Sequence, residues 1–344
     1  MISKKPIALV TGGAGFIGSH LVDLLLDQNM EVRVIDNLTG GSLRNLEHQN
    51  SNDLLKLEVQ DILTIDIQHS IFKNVDWIFH MAGIGDIVPS IEKPVDYFST
   101  NVFGSVRMAE AARIQGVKKF VYAASSSCYG IADVPTNERA PIDINYPYAF
   151  TKYIGEESLM HWHKIYGLPV NSIRIFNAYG PRSKTTGAYG AVMGVFLRQK
   201  LAGRPLTIVG DGQQSRDFVY VTDVARAFFL AAKTQIVGEI FNVGFGEPRT
   251  INELVKMLDC DFVKIPDRPG EPKCTWADIS KIFNCLGWEP LIPLEEGVKN
   301  MINQISYWKD SPLWDEISIE EATKTWFNFL GQEVANERGK KSGV

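Results

Sequence analysis

Two stretches of this sequence hold a serine hydroxyl, a phenol and an ammonium that together can move a proton without metal or histidine. The run Phe120-Val121-Tyr122-Ala123-Ala124 is apolar and ends in Ser125-Ser126-Ser127-Cys128. That is the pattern of a buried strand delivering hydroxyls to a sheet edge. After a polar loop comes Tyr148-Ala149-Phe150-Thr151-Lys152, which reads as the opening of a helix after Pro147. Residues four apart share a helix face, so Tyr148 and Lys152 point the same way. A tyrosine of pKa near 10 is a poor base at pH 7, and bringing it near neutrality takes roughly 4 kcal/mol of preferential phenolate stabilisation. Lys152 and a cationic nicotinamide ring are expected to supply it, with Ser125 relaying the proton or orienting a substrate hydroxyl.

The elements that must hold such a ring stand at the start of the chain. Ile7 to Val10 reads as a strand, followed by Thr11-Gly12-Gly13-Ala14-Gly15-Phe16-Ile17-Gly18, a helix to about Asp27, and a strand Glu31 to Ile35 ending at Asp36-Asn37. Gly12, Gly15 and Gly18 let backbone turn tightly against a pyrophosphate, and the helix amino terminus that Phe16 and Ile17 open attracts its charge. Asp36 falls where a carboxylate takes the adenosine ribose hydroxyls. A 2′-phosphate there would be repelled, so the cofactor expected is NAD.

Strand and helix patterns then alternate. Leu55 to Val59 leads to Asp61-Ile62, expected at the adenine; Trp77 to His80 leads to Met81-Ala82-Gly83. A helix is expected over Asn101 to Gln115, a strand over Val117 to Ala124 and another over Ile173 to Phe176. Such units make a doubly wound parallel α/β sheet, with ligands beyond the carboxyl ends of the strands. Residues 1–177 with about 216–244 are expected as the dinucleotide domain. Residues about 178–215 with 245–331 form a smaller mixed α/β substrate-binding domain, and 332–344 a flexible tail. Asp217 to Val221, the helix Asp223 to Lys233 and Gly238 to Val243 read as sheet-edge elements. A helix Tyr189 to Ala202 and a strand Leu206 to Val209 lie between. Ser318 and Glu321 read as a capping box opening a last helix whose Trp326, Phe327 and Phe329 pack as core.

Composition narrows the class. The 344 residues are 45% hydrophobic and 22% charged with net charge −5, an ordinary globular balance with no basic field for nucleic acid or anionic lipid. No apolar run has membrane-spanning length and no signal-peptide core is expected, so the placement is cytoplasmic. Cys128, Cys260, Cys274 and Cys285 lack zinc or disulfide-scaffold spacing, and Cys128 reads as packing. His161 and His163 project apart on a helix, so no metal is expected.

With these motifs assembled, the chain resembles the extended short-chain dehydrogenase/reductase family, and within it the nucleotide-sugar 4-epimerases. The resemblance covers nearly the whole chain. It implies a Rossmann sheet, Gly12, Gly15 and Gly18 at the pyrophosphate, Asp36 and Asp61-Ile62 at adenosine, and Ser125, Tyr148 and Lys152 in catalysis. It also implies Asn177, Arg216 and Arg268 at the substrate diphosphate, where guanidinium forks suit phosphate. Dehydratase relatives carry an Asp-Glu pair after the catalytic hydroxyl residue and uronate decarboxylases a glutamate; Ser126 and Ser127 occupy those places here, on the substrate side. Epimerisation at C4 through a transient 4-keto sugar remains, with NAD retained through turnover.

In these epimerases the residue before a Trp/Tyr-Ala-Asp/Asn segment gates the sugar pocket. Thr275 precedes Trp276-Ala277-Asp278, so an N-acetylhexosamine is expected to fit beside plain hexoses, with UDP the commonest base. Asp86 departs from the family pattern, and its carboxylate would oppose a uronate. Small and apolar residues along Asn101 to Ala112 and Ile154 to Ile165 form the face by which the family dimerises, so a homodimer is expected. A dehydrogenase or reductase that releases its cofactor, and a non-catalytic nucleotide sensor, stay open as alternatives.

Overall fold

A computed structural model describes residues 5–184 and 192–341, with side chains through Leu330. Seven strands form one parallel sheet in the spatial order Glu239–Val243, Val170–Ile175, Lys119–Ser125, Trp77–His80, Ile7–Thr11, Glu31–Asp36, Leu55–Val59. The strand Ile7–Thr11 is buried throughout, and its side chains divide between two cores. Ala8 and Val10 join Leu21, Leu25 and Phe228 on one face, while Ile7 and Leu9 join Met108, Ala112 and Leu159 on the other. A strand alternates its side chains, so covering both faces demands an unbroken apolar run. The helices Phe16–Asp27 and Val221–Lys233 cover the first face; Ser105–Gln115 and Pro147–Tyr166 cover the second.

A third core gathers Tyr179, Phe196, Leu206, Ile208, Leu254, Val298 and Trp308 beside the sheet. Its strand Leu206–Val209 pairs in parallel with Phe262–Ile265. The helix Ile251–Leu258 opens on a capping box in which Thr250 and Glu253 each bond the other's backbone amide, at 2.7 and 3.1 Å. Among the described residues no helix is long and apolar enough to cross a membrane.

Several elements differ from the sequence expectation. Phe218–Tyr220 does not extend the main sheet; it pairs with Asn177–Tyr179 as a separate ladder. The helix expected from Asn101 begins earlier: α-helix Pro94–Tyr97 runs into a π-helical stretch, Phe98–Gly104, and then α-helix to Gln115. Only Val192–Leu201 of the helix expected over 189–202 falls among the described residues. The last helix, Glu316–Lys341, starts before Ser318 because Asp315 caps it: its carboxylate accepts the Ser318 amide at 2.8 Å and its own amide donates to Ser318 Oγ at 2.8 Å. This helix runs into the segment expected as a tail. Trp326 is buried at 2% exposure, but Phe327 and Phe329 stand 37% and 64% exposed, because a helix turns neighbouring positions away from its buried edge.

Candidate active site

The glycine-rich turn is shaped by contacts that no side chain could share. Gly12 has φ +70°, and a Cβ there would lie 2.7 Å from the Ala82 amide nitrogen. A Cβ on Gly18 would lie 2.2 Å from the Gly12 carbonyl oxygen, because the helix that Phe16 opens packs directly on the turn. Gly15 is the residue before that helix and Ile17 packs under it. Asp36 is buried at the end of its strand, accepting the Ala14 amide at 2.9 Å and the Leu38 amide at 2.8 Å. Burial raises its pKa, while these amides and Lys184 pull it down. Asn37 is exposed and donates to Asp61 at 2.9 Å; Ile62, beside it, is buried under Gly104. A bare backbone cradle at a helix amino terminus, with a buried carboxylate at its rim, fits an adenine dinucleotide.

Across the sheet edge, Ser125 ends its strand and its Oγ lies 2.7 Å from Ser127 Oγ. Ser125 stands beside the Tyr148 phenol and pulls its pKa down, as Ser127 does for Tyr146. Pro147 opens the helix, so Tyr146 and Tyr148 flank its first residue and their rings lie parallel, 7° apart in plane and 6.4 Å between centroids. Ser126 is partly exposed beside them. Lys152 lies one turn on, but its ammonium sits 4.6 Å from the Tyr122 ring centroid. Burial lowers its pKa to about 8, against a smaller raising effect from Glu156.

The sequence expectation is a Tyr148 phenol depressed by Lys152 together with a cationic nicotinamide ring; in the protein alone the balance runs the other way. The phenol pKa is raised: burial dominates, the Ser125 hydroxyl pulls down, and the Asp86 carboxylate pushes up. The protein alone therefore keeps the phenol neutral. Asp86 precedes the helix Ile87–Glu92, its carbonyl accepts the Tyr97 hydroxyl at 2.6 Å, and burial raises its carboxyl pKa.

Behind Lys152 lies a buried network that sequence reading missed. Ser105 Oγ donates to the Asn101 carbonyl at 2.6 Å, so His80 Nε2 carries the hydrogen it shares with Ser105 at 3.0 Å, and Nδ1 accepts from Thr11 Oγ1 at 2.6 Å. Burial, with Lys152 nearby, drives the His80 pKa to about 3, so the ring is neutral. Asn101 bonds the Ile84 amide and carbonyl at 2.8 and 3.0 Å, and Thr151 at 3.0 Å. The π-helical stretch carries Asn101, and such bulges re-aim side chains at functional sites. That bulge was the one signal no local pattern announces.

A cleft beside the third core is lined by Asn177, Arg216, Arg268 and Glu271, with Phe196, Phe218 and Ile319 as apolar wall. The two arginines converge on Glu271: Arg216 Nη2 donates to it at 2.7 Å and Arg268 Nη1 lies 4.0 Å away. Arg216 also donates to the Pro272 carbonyl at 2.9 Å. Glu271 thus draws the two guanidinium groups together. Thr275 is bonded to Asn177 Oδ1 at 2.7 Å through its hydroxyl. His161 is exposed and His163 donates to the Leu168 carbonyl at 2.8 Å; Cys128 is buried, its thiol pushed up to about 12. Among the described residues no group of His, Cys, Asp or Glu has the arrangement to hold a metal ion.

Comparison with known proteins agrees with this layout. The model of the NAD dependent epimerase/dehydratase family matches residues 8–244. A protein named putative UDP-glucose 4-epimerase from Methanocaldococcus jannaschii is 37% identical over 304 residues, covering 86% of this chain and 97% of that one. The structure of UDP-N-acetylglucosamine 4-epimerase from Methanobrevibacter ruminantium, in complex with UDP-N-acetylmuramic acid, is 35% identical with a TM-score of 0.82, covering 88% of this chain and 99% of that one. That of UDP-glucuronic acid 4-epimerase from Bacillus cereus, with UDP-glucuronic acid and NAD, is 32% identical with a TM-score of 0.82 over 87% of this chain and 99% of that one. By the family match and by these relatives, the chain belongs to the NAD dependent epimerase/dehydratase family, and NAD is its cofactor.

Proposed function

We propose that this chain is a nucleotide-sugar 4-epimerase acting on a UDP-linked hexose or N-acetylhexosamine through a transient 4-keto sugar. One observation carries the reading: Ser125 stands beside the Tyr148 phenol at the sheet edge and pulls its pKa down, with no acid at positions 126 and 127. Tyr148 takes the proton of the 4-hydroxyl while Ser125 holds that oxygen, and Tyr148 returns it when the carbonyl is reduced. NAD, when bound, supplies the hydride acceptor and then the donor at the same carbon. Gly12, Gly15, Gly18, Asp36, Asp61, Ala82 and Lys152 hold it. Arg216 and Arg268, already gathered by Glu271, take the diphosphate, with Asn177 beside them. Incubation with a panel of UDP-, GDP- and dTDP-sugars, followed by separation of C4 epimers, is expected to yield an epimer of unchanged mass with no net change in NAD. Net NAD consumption would point instead to a dehydrogenase or reductase.

A second reading, elimination of water, has one supporting observation: the Asp86 carboxylate acts on the Tyr148 phenol. A product lighter by one water in the same assay would favour it. Asp86 otherwise disfavours uronates by charge repulsion, so UDP-glucuronate is expected to be the poorest substrate of the panel.

Thr275 ends in a short hydroxyl bonded to Asn177, a residue that lines the cleft, and on the epimerase reading its smallness leaves room for an acetamido group. Thr275→Tyr is expected to lower kcat/KM at least tenfold more for UDP-N-acetylglucosamine than for UDP-glucose, about 1.4 kcal/mol of discrimination. Equal losses on both sugars would remove the gate.

The free cysteines suit a reducing compartment, the cytoplasm. The homodimer is supported by an exposed apolar face: Val95, Phe98, Phe103, Ile114, Phe150 and Ile165 are all at least 40% exposed. The small residues expected there, among them Gly104, Ala109, Ala112 and Gly155, face inward instead, where a Cβ on Gly155 would strike Tyr122 and Asn101. Their smallness lets the helices approach the sheet; the large apolar side chains are left for a partner. Phe103→Glu with Phe150→Glu is expected to convert the dimer to monomer in sedimentation velocity. An unchanged sedimentation coefficient would refute this face.

A further inference from the structure

We propose that the carboxyl-terminal helix Glu316–Lys341 is a wall of the sugar-nucleotide site, with Ile319 closing the cleft and Trp326 holding Tyr148 in place through Tyr146. This helix lies outside the segment that the family model matches, residues 8–244. Its buried edge is Ile319, Thr323 and Trp326, at 5%, 2% and 2% exposure, spaced by four and three. Ile319 lines the same cleft as Asn177, Arg216, Arg268 and Glu271.

Trp326 makes two contacts with the site. Its indole N–H donates to the Pro269 carbonyl at 2.8 Å, in the loop between Arg268 and Glu271. Its ring centroid lies 6.1 Å from that of Tyr146, which in turn lies parallel to Tyr148. One position earlier, Thr325 Oγ1 donates to Glu92 at 2.9 Å, the last residue of the helix that follows Asp86. A single turn of helix thus ties the arginine loop, the phenol and the Asp86 segment together. A phenol that must meet one sugar hydroxyl is sensitive to such support, since a misplacement of about 1 Å can cost on the order of 10²-fold in rate. Trp326 is a positioning residue, since it touches Tyr146 and the loop and not the reacting atoms.

The role of Tyr148 rests on the epimerase reading; the cleft wall does not. Three variants, Trp326→Leu, Trp326→Phe and Ile319→Ala, separate the two when kcat, KM, calorimetric UDP affinity and thermal midpoint are measured for each. Trp326→Leu is expected to lower kcat by about tenfold to a hundredfold, with Trp326→Phe restoring most of it. Ile319→Ala is expected to weaken UDP binding about tenfold through lost apolar contact, at a temperature where the variant is still fully folded, since truncating a buried side chain also lowers its thermal midpoint. Wild-type kcat and UDP affinity in all three would overturn the proposal. So would losses that vanish on cooling in step with the unfolded fraction, or a Trp326→Phe variant as slow as Trp326→Leu. If the wild type epimerises no sugar nucleotide, the epimerase reading falls, and the UDP titration of Ile319→Ala still decides the wall. A wild type that does not bind UDP overturns the cleft assignment outright.

Discussion

Tyr148→Phe is expected to lower kcat by about 10²- to 10⁴-fold, the range of a lost general acid–base group, while leaving UDP-sugar affinity within about threefold. The change deletes one oxygen and keeps the ring, so the parallel packing on Tyr146 at 6.4 Å survives. What disappears is the group that Ser125 stands beside. Removing an interaction made only with the reacting hydroxyl lowers kcat and kcat/KM together and spares binding. Because burial and Asp86 hold the phenol neutral in the protein alone, base strength must come from positive charge brought in beside it. Asp86→Asn should therefore shift the alkaline-going limb of the kcat/KM profile to lower pH, since removing a nearby negative charge lowers the phenol pKa. Stopped assays with separated epimers read both effects. A Tyr148→Phe enzyme with near-wild-type turnover would take the phenol out of the reaction.

Glu156→Ala is expected to cost about 3–5 kcal/mol of stability in chemical denaturation, the penalty of leaving a buried charge without its partner. Glu156 and Arg174 are 1% and 4% exposed at the side chain. Ser172 Oγ donates to the carboxylate at 2.6 Å, and the guanidinium grips it through Nε at 3.0 Å and through Nη2. Arg174 also lies 4.9 Å from the Tyr129 ring centroid and donates to its hydroxyl at 2.9 Å, and Tyr129 donates to Asn242 at 2.8 Å. One alanine therefore strands a whole buried network. Replacing both partners by apolar residues of similar size, Glu156→Leu with Arg174→Met, is expected to cost less than the single change. If the double variant is the less stable of the two, the pair contributes net stabilisation.

The same carboxylate reaches function. Glu156 is one turn from Lys152 and raises its pKa against the larger lowering by burial, the two together leaving it at about 8. Without Glu156 the ammonium loses its proton at lower pH. Any activity that needs the Lys152 cation then falls earlier as pH rises.

The residues proposed for catalysis and the glycine turn could be picked out of the sequence because their logic is local. Gly12 to Gly18, Asp36, Ser125, Tyr148 and Lys152 each sit at the end of a strand or the start of a helix, and the chain order alone carries them to one edge of a parallel sheet. The sheet was legible for a related reason: a strand covered on both faces has no polar side to display, and Ile7 to Val10 shows none. What only the tertiary structure decided involves partners distant in sequence and the dielectric they share. His80 with Ser105 and Thr11, Arg216 with Glu271, Trp326 with Tyr146, and Asp86 acting on Tyr148 are all such pairs. A side chain's type says that it can ionise or stack; its burial and the charge that lands beside it say whether it does, and both are properties of the packed chain.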